Sequence, residues 1–165
     1  MTKEEFARRL TNACDAVIQA EAELTEIDSK FGDADHGLTM AKIAGAISEA
    51  VDAAEGGIQS MLDDAAMAVM TLNGGSAVPL WNTWLGGLQE EAPEGEEIDV
   101  AGLKAIFAKA LEELEDMSGA KVGDKTMKQY VSKFGRSKSY GTKTIGTPDA
   151  GAVSMSWFFQ GLARE

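Results

Sequence analysis

Residues 2–17 read TKEEFARRLTNACDAV, and this stretch sets the fold class. Thr2 and Glu5 have the spacing of a capping box, in which each side chain bonds a backbone N–H at the start of a helix. Behind them, apolar residues recur at helical spacing, at Phe6, Leu10, Cys14, Val17 and Leu24. The pattern predicts a first helix that runs to about Glu26.

The same period continues along the chain. It predicts four further helices, marked by Ile43, Ile47 and Val51; by Ile58, Leu62, Ala65, Val69 and Leu72; by Trp81, Trp84, Leu85 and Leu88 behind Pro79; and by Val100, Leu103, Phe107, Leu111 and Leu114 behind Asp99. A short helix around Lys125 to Phe134, a loop over residues 135–151 and a last helix with Met155, Phe158, Phe159 and Leu162 follow.

No segment alternates with the period of two that a half-buried strand needs. The chain is therefore predicted to be all-α, an antiparallel barrel or bundle of about six to seven helices. Its 165 residues suit one compact domain over residues 1–165, because two domains would each lack a sufficient core.

Charge and composition exclude several classes of partner. The net charge of -12 repels phosphate backbones and anionic membranes, and no stretch is apolar for long enough to span a bilayer. The single cysteine, Cys14, cannot form an internal disulfide, and the N-terminus does not have the pattern of a secretory signal. We therefore expect a cytoplasmic protein with no nucleic-acid or membrane partner.

Three aspartates lie close together in the segment between the first two predicted helices. Asp28, Asp33 and Asp35 fall within eight residues, and Gly32 and Gly37 leave the backbone free to fold the carboxylates toward one point. Hard oxygen ligands grouped in this way suit Mg²⁺, which takes its remaining ligands from water and nucleotide phosphates. An acidic, solvated loop is the alternative interpretation of the same residues.

Other segments have the form of phosphate sites but are ambiguous alone. His36, the only histidine, stands at a predicted helix start, where backbone N–H groups favour anions. Residues 73–79 resemble a phosphate-cradling turn, although a Gly-Gly pair also serves as an ordinary helix stop. Arg136 could clamp a phosphate through two parallel hydrogen bonds or lie in solvent.

Taken together and in order, these motifs resemble one family, the nucleotide-binding subunit of dihydroxyacetone kinase, also called DhaL or the Dak2 domain. The resemblance covers nearly the whole chain. It rests on residues 28–40, Gly74 to Leu80, Gly123-Asp-Lys-Thr-Met127, Gly135-Arg136, Tyr140 and Ile145 to Ser154.

The resemblance implies a barrel of antiparallel helices whose rim loops hold ADP or ATP with two magnesium ions. It implies that the metal ligands are Asp28, Asp33 and Asp35. It also implies that the nucleotide-binding residues are His36, Gly37, Leu38, Thr39, Gly75, Ser76, Ala77, Gly119, Met127, Arg136, Asp149, Ala150 and Gly151. No catalytic residue is expected beyond the metal ligands and Arg136.

The family also implies the partners. The phosphoryl group goes to a small ketose held by a separate substrate-binding subunit, and the donor is either ATP or a phosphorylated carrier protein. A magnesium-nucleotide-binding module that acts through protein association is the alternative of another class. A kinase-like domain for a fatty acid ranks last, because that group usually has Asp-Gly-Asp-Thr-Gly where this chain has residues 33–37.

The sequence departs from the family pattern before Gly135, where about two helices are missing. The barrel then closes with fewer helices, or a partner or a second copy of the chain fills the gap, as in a homodimer. Smaller departures are Thr39 for a common asparagine, a reversed order of Ser76 and Ala77, and Ala150 for a common proline. These changes put turnover in question more than nucleotide binding.

Overall fold

Seven helices form the described part of the computed structural model, which comprises residues 1–119, 140 and 142–164. They are α1 (Lys3–Gln19), α2 (Glu21–Ser29), α3 (His36–Ala53), α4 (Ile58–Met70), α5 (Ala77–Glu90), α6 (Val100–Ser118) and α7 (Ala150–Leu162). No strand occurs in these residues, where Thr2 and Glu97 form an isolated bridge. The prediction of an all-α fold with six to seven helices is confirmed.

The helices pack side by side in a row. In spatial order α6 lies on α5, α5 on α4, α4 on α3, α3 on α1 and α1 on α7, while α2 lies against α3 and α7. The Lys3 ammonium donates to the carbonyl of Ala54 at the end of α3, and Arg9 donates to Leu162 at the end of α7. Neighbours are therefore antiparallel, and α3, α5 and α7 all begin at the same end of the molecule.

The prediction of one first helix to about Glu26 was wrong in detail. The helix breaks at Ala20, which has a ψ of 2° and whose N–H is shared between the carbonyls of Ala16 and Val17. α2 then leans against α3 and α7 and ends at Ser29. Periodicity missed the break because Leu24 lies seven positions after Val17, in phase with a continuous helix, and remains fully buried.

The remaining boundaries differ by a few residues. α4 ends at Met70, two residues before the predicted Leu72, and α7 begins at Ala150, inside the segment that was predicted to be a loop. The short helix expected around residues 125–134 lies outside the described residues. None of the described helices combines the length and the apolar character that a membrane crossing requires.

An aromatic cluster holds α7 to α5 through the interior. The ring of Phe158 lies 5.2 Å from those of both Trp81 and Trp84, in edge-to-face arrangements. Such pairs stabilise a fold by about 0.5 to 1.5 kcal/mol each beyond their area burial. The cluster fixes α7 relative to α5, and with it the relative positions of the two helix starts.

The two glycines of α5 have opposite surroundings and provide a stability test. A Cβ at Gly87 would lie 2.6 Å from the Ala110 Cα of α6, whereas a Cβ at Gly86 meets nothing within 4 Å. We expect Gly87→Ala to lower the free energy of unfolding by about 1 to 3 kcal/mol through overpacking. Gly86→Ala, the matched control, should raise it by about 0.5 to 1 kcal/mol. Denaturant titration checks both values, and equal effects would contradict the close α5–α6 packing.

Cys14 reports on the integrity of the core. Its side chain is fully buried in α1, and this burial raises the pKa of the thiol to about 12. Because the thiolate is the reactive form, the folded chain should resist a chromogenic disulfide reagent at pH 8. The unfolded chain should release one equivalent of chromophore. Rapid labelling in native buffer would show that α1 is not packed as described.

Candidate nucleotide and metal site

The candidate site lies at the end of the molecule where α3, α5 and α7 begin. α2 and α4 end there, so residues 30–35 and 71–76 form adjoining rim loops. The second loop approaches the first turn of α3 at Gly74, where an added Cβ would lie 3.2 Å from the Thr39 Cγ2. Most residues that the sequence analysis singled out are thereby brought to one end of the fold.

The three aspartates converge as predicted. Asp28 lies in the last turn of α2, while Asp33 and Asp35 lie in the following loop, and one carboxylate oxygen of each comes within 4.8 Å of the other two. The Asp35 N–H donates to Asp28 Oδ2 at 3.3 Å. Asp28 is half-buried and the other two are exposed. Three hard oxygen donors at this separation fit Mg²⁺, because a cation offsets their mutual repulsion.

Two backbone features shape this loop. The Gly32 N–H donates to the Asp28 carbonyl at 2.6 Å, and a Cβ at Gly32 would fall onto the Asp28 carboxylate. Ala34, between the other two aspartates, has a left-handed φ of 61°, which costs a residue with a Cβ about 1 to 2 kcal/mol. Sequence reasoning identified the glycine and missed Ala34, because alanine carries no signal for that conformation.

Two helix starts at the rim lack a side-chain cap. Neither Asp35 before α3 nor Ser76 before α5 accepts a hydrogen bond from the first turn of its helix through its side chain. The first turns of a helix present N–H groups without intrahelical partners and a partial positive charge. A Cβ at Gly75 would meet nothing within 4 Å, so the backbone there is open to a ligand. Together these features favour an anion such as phosphate.

Gly37 has a packing role. It is buried, and a Cβ there would fall onto the Glu21 carbonyl and the Thr25 side chain of α2. The glycine therefore lets α3 begin directly against α2. Its neighbour Leu38 points outward and is half exposed, and Thr39 is half-buried and faces the Gly74 loop.

His36 connects α3 to α7. Its Nε2 lies 3.4 Å from the hydroxyl of Ser154, which is fully buried and donates to the Gly151 carbonyl at 2.7 Å. Burial lowers the pKa of His36 below its usual value, against the opposing effect of Asp28 and Asp149. The ring is therefore neutral near pH 7. Ser154 was absent from the predicted site residues, since a serine inside an apolar helix is usually structural.

The last three predicted nucleotide-binding residues, Asp149 to Gly151, lie at the start of α7. Asp149 accepts a hydrogen bond from the Ala152 N–H at 3.0 Å and so caps the helix, while Ala150 and Gly151 lie in the first turn.

Phe31 of the acidic loop packs on Tyr140, with ring centroids 5.3 Å apart. Gly119 ends α6 with a left-handed φ of 65°. Met127 and Arg136 lie outside the described residues.

The fold and the site define an all-α domain with an acidic metal-type loop and open helix starts on one rim. The DAK2 domain family matches residues 30–130, and the chain belongs to this family. The resemblance identified from the motifs is thereby confirmed.

Curated relatives include two kinds of protein. The chain is 25% identical to the ADP-binding subunit DhaL of PEP-dependent dihydroxyacetone kinase 1 from Listeria innocua, covering 86% of this chain and 85% of that one. It is 29% identical to D-erythrulose kinase from Mycolicibacterium smegmatis, covering 91% of this chain and only 33% of the relative. That match extends over 192 residues, more than this chain contains, so the relative carries residues that are missing here.

A solved structure gives the same fold. The chain superposes with a TM-score of 0.72 and 19% identity on the crystal structure of dihydroxyacetone kinase from C. freundii in complex with AMP-PNP and Mg²⁺. The match covers 96% of this chain and 33% of the other. The likeness confirms the helical architecture of the described residues.

Asp149 has a structural role that can be separated from its charge. Asp149→Ala removes the cap of α7 and should lower the free energy of unfolding by about 1 kcal/mol. Asp149→Asn keeps an acceptor oxygen and should stay close to the original stability. Denaturant titration of both variants checks this expectation. A loss of stability in the asparagine variant equal to that of alanine would mean that the carboxylate charge matters and the cap does not.

Proposed function

We propose that this chain binds a magnesium nucleotide at the rim and is the nucleotide-binding part of a phosphotransferase of the dihydroxyacetone kinase class. One observation carries the proposal: three converging carboxylates and two helix starts without side-chain caps lie at the same end of the fold. The first feature suits a cation and the second suits phosphates. A magnesium nucleotide contains both.

In this proposal, negatively charged side chains bind the metal and backbone N–H groups bind the phosphates. Asp28, Asp33 and Asp35 hold magnesium, and the N–H groups that open α3 and α5 hold the phosphate oxygens. Magnesium, when bound, neutralises the phosphates and orients the transferred group. We propose two ions, since each Mg²⁺ takes few protein ligands and keeps several waters. The neutral ring of His36 and the backbone at Gly75 to Ala77 line the nucleotide.

The acceptor belongs to a partner in this proposal. Relatives of similar length are named as ADP-binding subunits, whereas the erythrulose kinases are about three times as long as the part that this chain matches. A separate subunit that holds a small ketose therefore supplies the hydroxyl that accepts the phosphoryl group. The donor is ATP, or a phosphorylated carrier protein that recharges bound ADP.

A second candidate is a binding module that holds the magnesium nucleotide without turnover. The observation that favours it is length, because the matched relative carries residues that this chain lacks. Turnover separates the two candidates. The chain is mixed with a dihydroxyacetone-binding subunit and either ATP or a phosphorylated carrier protein, and triose phosphate is measured. Product with either donor supports the kinase, and its absence with both supports the module.

Binding is tested first. We expect ADP to bind only with Mg²⁺ present and Asp33→Asn to weaken that binding at least tenfold, since about 1.4 kcal/mol of lost interaction corresponds to one decade of affinity. The matched control is Asp64→Asn, which removes an exposed aspartate from the middle of α4, away from the rim. Isothermal titration calorimetry measures both variants. Unchanged affinity in Asp33→Asn, or equal binding in EDTA, would refute the site.

A further inference from the structure

α6 lies at one end of the helix row and leaves part of its apolar face exposed. Its main described neighbour is α5, and it meets α7 through the rings of Phe107 and Phe159 at 5.9 Å. Of its 19 residues only Ile106 and Ala110 are fully buried.

Apolar residues form one line along α6, which we call the α6 stripe: Val100, Leu103, Phe107, Leu111 and Leu114. Leu103, Phe107 and Leu114 are partly buried against the core, so the outer part of the stripe is formed by Val100 and Leu111. Val100 is 69% exposed and Leu111 is 56% exposed, and Phe159 of α7 extends the surface with 43% exposure. Helical spacing places the stripe along one side of α6, over roughly 21 Å at 1.5 Å per residue. Contiguous exposed apolar surface is a feature of protein interaction sites.

The order of residues along α6 indicates what covers this surface. Lys104 and Glu115 are exposed, make no ion pair with another described residue, and are eleven positions apart, three helical turns on the same side of the stripe. They lie equally far on either side of the midpoint between Lys109 and Ala110. Leu103 and Leu114, and also Phe107 and Leu111, flank the same midpoint to within one residue.

Such a helix is complementary to itself when it is reversed. We propose that two copies of this chain pair through their α6 stripes in antiparallel orientation, forming a twofold-symmetric dimer. Lys104 of each copy then faces Glu115 of the other, and the leucines pack across the centre, as an isologous interface requires. The pairing uses the side of the molecule at α6, and it does not depend on the proposed nucleotide binding.

A charge exchange tests whether a second copy of the chain binds the α6 stripe and whether the two helices are antiparallel. Sedimentation equilibrium of the full chain over the micromolar range should show a reversible monomer–dimer equilibrium. Lys104→Glu and Glu115→Lys should each weaken dimerisation roughly tenfold or more, because each places two like-charged pairs across the symmetric interface. The double variant should restore the original dissociation constant to within a few-fold, since its charges are complementary again.

An apolar pair provides the second test. Leu111→Glu brings a charge to the centre of the interface and should give a monomer, whereas Met67→Glu, at a residue of α4 with 50% exposure, should leave the dimer unchanged. Circular dichroism confirms that each variant is folded. A monomer at every concentration, or a double charge variant no better than the single ones, would overturn the proposal. Calorimetry with magnesium ADP reports on the nucleotide site separately, so the two proposals can fail independently.

Discussion

The close approach of α2 and α3 at Gly37 is the constraint on which the rim depends. A side chain at this position would strike the backbone carbonyl of Glu21, so a larger residue would push the start of α3 away from α2. Asp28 belongs to α2, whereas Asp35 lies directly before α3. The separation of these carboxylates, and the hydrogen bond from the Asp35 N–H to Asp28, therefore follow from a packing contact that itself carries no charge.

Helical periodicity was enough to predict the fold class, because Phe6, Leu10 and Val17 repeat at a period that a strand cannot use. Periodicity could not predict the break at Ala20, since one altered ψ angle leaves Leu24 at the position expected for a continuous helix. The exposure of the apolar residues of α6 could not be predicted from the sequence either. A stripe of leucines looks the same whether it faces the core of its own chain or stays uncovered, as Leu111 does.

The site was predictable where residue chemistry is unusual and unpredictable where it is ordinary. Three aspartates beside a glycine predict convergence, and the structure brings one oxygen from each within 4.8 Å. Ala34 and Ser154 are common residues whose roles come from a left-handed φ and from full burial beside His36. Both properties are set by tertiary packing. Asp149 differs from these two residues, because it was included in the predicted site. The family resemblance assigns it to the nucleotide, whereas in the structure its carboxylate caps α7.

The electrostatics of the rim explain why metal and nucleotide should bind together under the proposed function. Asp28 and Asp35 place negative charge at the start of α3, where the helix dipole also attracts phosphate. On a chain with a net charge of -12, a nucleotide without a cation would meet these carboxylates at the start of α3. Magnesium alone would lack most of its oxygen ligands. Each ligand supplies the charge that the other needs, so the two reinforce each other's binding, and by linkage the reinforcement is equal in both directions.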